Sequence, residues 1–327
     1  MEIGFRLPGR GPLANAEAIR TLAIRGEELG YACVTVPDHI VLPSRYEALY
    51  PYADDGRYPG IETGECLDQP TLLAYVAAIT TKPRLLTSVM VVPLRPAVVT
   101  AKMLATIDVL SGGRLVLGCG AGWLKEEFEA LGAPPHAERG RATNEYIRAF
   151  KELWTKDQPN FEGDHVKFSD IIFEPKPVQK PHPPIWIGGE SASALRRVVE
   201  LGDGWFPIGI NASTPLDTRD RYAAGLQKLH AAAEAYDRDP QTIALAYWAI
   251  WTGLDVPLIA SDGTRRLFSG SVDEISGDVD YFRELSVTTL IVDFLSPADD
   301  SERTLTLHLA LDRMERYAEQ VLPLAGR

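Results

Sequence analysis

Short apolar, β-branched runs alternate with helical stretches along most of the 327 residues, and this alternation limits the fold more than any single motif does. Residues 3–7 form an apolar run. A stretch with Ile19, Leu22, Ala23 and Leu29 follows, at the three-and-four spacing of a helix packed on one face. Gly30 ends that helix, and residues 31–36 (YACVTV), closed by Pro37, read as a strand buried on both faces. Further strands are predicted at 85–92, 115–119, 185–187, 204–207, 243–250 and 289–294, which makes eight. The clearest helices between them are 97–110, 142–154, 192–201, 214–235 and 304–321. Such units carry parallel strands joined by right-handed crossovers, and eight of them close most naturally into a barrel. An open doubly wound sheet competes, but LPGRGPLAN follows the first strand where a GxGxxG turn would be needed, and no linker divides the chain. The expectation is an α/β chain forming one (β/α)8 TIM-barrel domain over residues 1–327, with insertions after strands 2 and 7.

The first insertion, 41–67, follows the C-terminal end of a strand, the end of a barrel that carries active sites. It sets Tyr46, Tyr50, Tyr52 and Tyr58 beside Asp54, Asp55, Glu62 and Glu65, and reads either as a lid or substrate wall or as a packing excursion. The second, 251–270, carries Arg265 and Arg266 and is open to the same two readings. A formal charge of −12 gives no general pull on nucleic acid or anionic lipid, so neither is an expected partner, and an anionic ligand must be held by local groups. Cys33, Cys66 and Cys119 are odd in number and lack CxxC spacing, which argues against a disulfide framework and a cysteine zinc site. With no leader pattern and no apolar run near the roughly 18 residues of a membrane span, a cytoplasmic protein is expected. The histidines show no ligand spacing, so no metal is expected, and no GxSxG or matched Cys/His signature points to a hydrolase.

Two glycine-rich turns follow predicted strands. Gly118-Cys119-Gly120-Ala121-Gly122-Trp123 lies between a strand and a charged helical start. It is either a tight turn or a place where backbone approaches a flat or anionic ligand. Gly188-Gly189-Glu190-Ser191 opens a helix whose free N–H groups and Ser hydroxyl would cradle a phosphate. Arg139 and Arg141 either supply fixed positive charge to that phosphate or lie on a solvated helix start. Asp38 and His39 close the second strand, where a histidine can exchange a proton near neutral pH with a neighbouring carboxylate tuning it.

The run DVLSGGRLVLGCGAGW at 108–123, followed by KEEFEALG, closely resembles the bacterial luciferase-like family, specifically its deazaflavin (coenzyme F-420) oxidoreductase branch. PDHIVLP at 37–43, PLRPAVVTAKMLATIDVLSGGR at 93–114, ERGRATNEYI at 138–147, PKPVQKPHPPIWIGGES at 175–191 and LGDGWFP at 201–207 extend the likeness over most of residues 1–210. The resemblance implies a barrel whose C-terminal mouth holds a tricyclic ring, with Asp38 and His39 beside the ring edge and His39 as the acid/base group. It matches Thr87-Ser88-Val89-Met90 to a segment that forms a bulge behind the ring through a non-proline cis peptide bond, placing Ser88 and Val89 at the cofactor. It places Gly120, Gly122 and Trp123 at the cofactor's border, and Gly188, Gly189, Glu190 and Ser191 at its phosphate. The implied activity is hydride transfer between the deazaflavin and a small organic substrate. The loop after Pro43 carries no evident second catalytic residue. An FMN-dependent monooxygenase is the alternative, because the same barrel holds either ring, and a non-catalytic flavin- or deazaflavin-binding protein is a second. Relatives pair through barrel helices, so a homodimer is expected.

Overall fold

The computed structural model describes residues 1–53, 55–58, 64–251, 253–295 and 305–326. Among them, eight parallel strands close the expected barrel: β1 (Glu2–Arg6), β2 (Cys33–Val36), β3 (Arg84–Thr87), β4 (Leu115–Gly120), β5 (Ile185–Ile187), β6 (Gly204–Trp205), β7 (Ala244–Trp248) and β8 (Val287–Val292). β8 returns to β1 in the register Glu2–Thr289 through Phe5–Val292, which leaves the barrel no open edge. Around it stand α1 (Ala16–Leu29), α2 (Gln69–Ile79), α3 (Ala97–Ser111), α4 (Lys125–Leu131), α5 (Arg139–Thr155), α6 (Ala192–Leu201), α7 (Arg219–Ala235), α8 (Val272–Glu284) and α9 (Leu307–Gln320). No helix among the described residues is long and apolar enough to cross a membrane.

Local chemistry explains where the elements start and stop. Asn15 caps α1 by accepting from the Ala18 N–H, and Gly30 ends the helix at φ 93°. α7 begins later than its apolar pattern predicts, because Pro215 lies in the expected first turn and Thr218 supplies the cap. Thr304, the expected start of the last helix, lies outside the described residues, and the helix is seen from Leu307. The predicted strand 85–92 is interrupted: β3 ends at Thr87, the Ser88–Val89 peptide bond is cis, and Met90 and Val91 resume pairing against Cys119 and Gly120.

Two apolar layers result. Cys33, Leu86, Val116, Trp186, Ala246 and Ile291 fill the barrel interior under Phe206, so the barrel is a packed core rather than a pore. A Cβ at Gly4 would come within 2.5 Å of the Cys33 carbonyl oxygen and 2.8 Å of Ile291, which is why β1 carries glycine at that inward position. The larger layer lies between strands and helices, with Phe5, Tyr31, Phe150, Trp154, Tyr222 and Phe282 among its fully buried side chains.

Candidate active site

At the C-terminal ends of the strands lies a cavity of about 120 Å³. Pro37, Asp38 and His39 reach it from the end of β2, Ser88 and Val89 from the end of β3, Trp123 from beyond β4, and Gly188 and Gly189 from beyond β5. Phe206 and Ile208 beyond β6 and Trp248 in β7 complete the barrel side, and Tyr50, Tyr52 and Tyr58 cover the top. The walls are flat and mostly apolar: Phe206 and Trp248 lie 6.3 Å apart with their planes inclined by 18°, and Trp123 meets Tyr50 and Tyr58 at 5.2 and 5.7 Å. A wider hollow of about 870 Å³ opens at the opposite end of the barrel, lined by Met1, Glu2, Arg84 and Arg283 among others. Barrel chemistry belongs to the C-terminal end, so the smaller cavity is the candidate site.

Asp38 and His39 are adjacent in sequence and differ in surroundings. The Asp38 side chain is fully buried; Arg95 Nη1 and Nη2 each donate to it at 2.9 Å, and the Val91 N–H donates at 2.9 Å. Burial pushes its carboxyl above the ordinary range, and the Arg95 charge and the Val91 N–H pull it back. Asp38 is therefore not the hydrogen-bond partner of His39: its oxygens are committed to Arg95 and backbone. That partner is Glu127 in the first turn of α4, whose Oε2 lies 2.8 Å from His39 Nδ1 while its Oε1 accepts from the N–H groups of Ile40 at 2.7 Å and Val41 at 3.3 Å. In the sequence KEEF reads as a charged helix start, and nothing local to it marks Glu127. A carboxylate that is 2 % exposed in a first turn is the feature that marks it, and burial at that position is set by a contact 88 residues away.

The glycine turns serve the bulge at Val89. A Cβ at Gly120 would lie 2.5 Å from Val89 Cγ2, one at Gly188 2.9 Å from Val89 Cγ1, and one at Gly118 would collide with the Thr87 carbonyl oxygen. These glycines make room for the segment behind the cavity. Gly120 and Gly122 stand behind Val89 and Val91 and do not line the cavity. The Gly188 N–H is taken by the Cys119 carbonyl at 2.9 Å, so it is not a free phosphate donor as the cradle reading required. Glu190 also departs from that reading: it is 5 % exposed and turned inward, accepting from the Ile208 N–H at 3.0 Å and from Asn211 Nδ2 at 2.8 Å. Burial raises its carboxyl to about 7, offset in part by those two donors. Ser191 caps α6 by accepting from the Ala194 N–H, and Gly189 at φ 101° precedes it. Arg139 donates Nε to the Gly122 carbonyl and Nη1 to that of His136, while Arg141 pairs with Glu138 and Asp164 at the surface; both serve local structure.

The two long connections divide between the readings left open. Residues 37–68 join β2 to α2, and their aromatic side closes the cavity. Tyr58 sits edge-on to His39 at 4.9 Å under the Arg10 guanidinium, and the Pro51 carbonyl accepts from the Ala212 N–H at 2.9 Å. Glu126 accepts from the Glu47 N–H at 2.7 Å, tying this strap to the same turn of α4. Asp55 and Glu65 face solvent, and Asp54 and Glu62 lie outside the described residues. Residues 249–271, between β7 and α8, are built for packing. Arg265 pairs with the fully buried Asp278 and Arg266 with the buried Asp217, while the Trp251 indole donates to the Leu267 carbonyl.

Comparison with known proteins agrees with this architecture. The model of the luciferase-like monooxygenase family matches residues 1–251. The FMNH(2)-dependent dimethylsulfone monooxygenase of Pseudomonas putida is 45 % identical over 111 residues, 33 % of this chain and 31 % of that enzyme; the match therefore spans about a third of that relative's length. Among solved structures, the monooxygenase RslO1 from Streptomyces bottropensis superposes with a TM-score of 0.73 at 22 % identity, covering 99 % of both chains. An F420-dependent secondary alcohol dehydrogenase gives 0.71 at 18 % identity, covering 99 % of this chain and 98 % of that one. At these identities the structural likeness establishes the barrel.

Proposed function

We propose that this chain, which belongs to the luciferase-like monooxygenase family, is an oxidoreductase that transfers hydride between coenzyme F-420 and a small organic substrate. The observation that carries this reading is the aromatic cavity at the C-terminal mouth, with the His39 ring in its wall and its Nδ1 engaged by Glu127.

The residues present suit a tricyclic ring in kind. Val89 offers a backing surface whose depth is set by Gly118, Gly120 and Gly188, and Trp123, Phe206 and Trp248 offer flat apolar walls. About 120 Å³ is below the roughly 300–1,000 Å³ of small-molecule sites, so Tyr50, Tyr52 and Tyr58 must withdraw for such a ring to enter. Gly189 and Ser191, at the N-terminus of α6, would hold its phosphate through backbone N–H groups and a hydroxyl. When bound, the coenzyme supplies or accepts the hydride. The chain does the rest: His39 holds or moves a proton at Nε2, the aromatic strap excludes water, and Ile208 with the flanking Phe206 and Trp248 offers an apolar surface to the substrate. Chains are proposed to pair, with the exposed Tyr75 of α2 and Val99 of α3 in the contact; sedimentation at dimer mass supports this and monomer mass contradicts it.

A second reading, reduced FMN and oxygen, is favoured by the 45 % identical segment shared with an FMNH(2)-dependent enzyme. Titration of the purified chain with coenzyme F-420 and with FMN, each followed by ring fluorescence, separates the two. Selective binding of the deazaflavin, lost in Gly188→Asp because the new side chain strikes Val89, is the expected result. Selective binding of FMN replaces the first reading with the second, and binding of neither removes both.

A further inference from the structure

We infer that Glu127 is a positioning residue that fixes the tautomer of His39, an inference that rests on His39 being the group that exchanges the proton. A carboxylate oxygen accepts and does not donate, so at 2.8 Å from Glu127 Oε2 the neutral His39 ring carries its proton on Nδ1. Nε2 has no hydrogen-bond partner among the described residues, and it is the nitrogen left for the cavity, as an unprotonated acceptor in the resting ring. The carboxylate cannot turn away. Its second oxygen is held by the N–H groups of Ile40 and Val41, it is 2 % exposed, and α4 fixes its backbone. The edge-on rings of Tyr58 at 4.9 Å and Trp123 at 6.3 Å restrict the imidazole from the other sides.

These contacts dictate what the isosteric amide does. In Glu127→Gln, the Ile40 and Val41 N–H groups require the amide oxygen on their side, so the amide NH2 must face His39 Nδ1. The ring then accepts at Nδ1 and carries its proton on Nε2, presenting a donor to the cavity where the parent presents an acceptor. A shape-preserving substitution therefore inverts the chemistry of a residue it leaves in place.

The test uses the full chain without ligand, labelled with nitrogen-15 histidine. Long-range proton–nitrogen correlation identifies the protonated ring nitrogen, and His39→Asn assigns the signal by its loss. The expected results are an Nδ1–H ring in the parent, an Nε2–H ring in Glu127→Gln, and return to Nδ1–H in Glu127→Asp. With F-420 supplied, Glu127→Gln is expected to lose at least about 100-fold in kcat while KM changes less than about threefold, the pattern of a wrong tautomer with intact geometry. An Nε2–H ring in the parent, or an unchanged tautomer in Glu127→Gln, overturns the positioning role even if His39→Asn is inactive. Full turnover by His39→Asn overturns both that role and the reading beneath it.

Discussion

Asp38 and His39 are consecutive residues at the end of β2, yet they meet opposite fates. Asp38, buried at the edge of the cavity, is locked into the frame of the barrel, where a bidentate guanidinium and a backbone N–H engage both its oxygens. His39 spends one nitrogen on Glu127 and keeps the other for the cavity. The difference teaches how to tell scaffold from chemistry inside one dipeptide. A polar group whose hydrogen-bonding capacity is saturated in a dry place holds structure, whereas one left half used at a cavity wall is available to a ligand.

The largest effect is expected from Arg95→Met, which leaves the Asp38 carboxylate buried without its counter-charge and should cost ~3–5 kcal/mol in denaturant unfolding. His39→Asn should leave the unfolding midpoint nearly unchanged. Equal losses of stability from the two would erase the distinction.

Glu190 sharpens it with a buried carboxyl held by Ile208 and Asn211. Its folded value of about 7 lies above the ordinary 4.5 of a glutamate, so the folded state binds the proton more tightly. Its contribution is fully present below about pH 4.5 and is lost as pH rises through about 7, a change of ~3 kcal/mol. Glu190→Gln, which mimics the protonated form, should flatten that part of a stability-against-pH curve; a slope equal to the parent's would show that Glu190 is not its source.

Gly120→Ala pushes a methyl against Val89 Cγ2 and should cost ~1–3 kcal/mol, with weaker ring binding read by fluorescence. The smallest effect is expected at Asp68, the second partner of Arg95, whose side chain is 39 % exposed. Asp68→Asn keeps the cap on α2 and an oxygen that can accept from Arg95, and removes only the charge of a part-exposed carboxylate, so less than ~1 kcal/mol should be lost in thermal unfolding.

Much of this was legible in the chain. Buried strands such as CVTV and amphipathic helices such as α5 announce themselves by composition and period, because one face of each must be apolar. α2, QPTLLAYVAAI, has no charged residue to mark a face, so its period is hidden. His39, Trp123 and Ser88–Val89 lie inside local motifs that a resemblance picks out, and the structure brings them to the cavity wall. Glu127 and the Arg95 lock have no such local mark, because each is a contact between segments far apart in sequence. The glycines stand out in the chain without their role, because GxG runs look alike whether the missing Cβ admits a phosphate or a valine; at Gly120 and Gly188 the structure shows Val89 in that space. The tyrosines of the strap carry no direction in the sequence, and of its acidic residues the described Asp55 and Glu65 face solvent.

The proposed division of labour has His39 acting on protons while the cavity around it holds the ring. It is tested most directly by measuring F-420 binding and single-turnover oxidation of the reduced coenzyme side by side, in the parent and in His39→Asn, with a panel of carbonyl and enone substrates. Binding within about threefold of the parent is expected, together with a loss of ~10²–10⁴ in the turnover rate. Undiminished turnover with intact binding would contradict it.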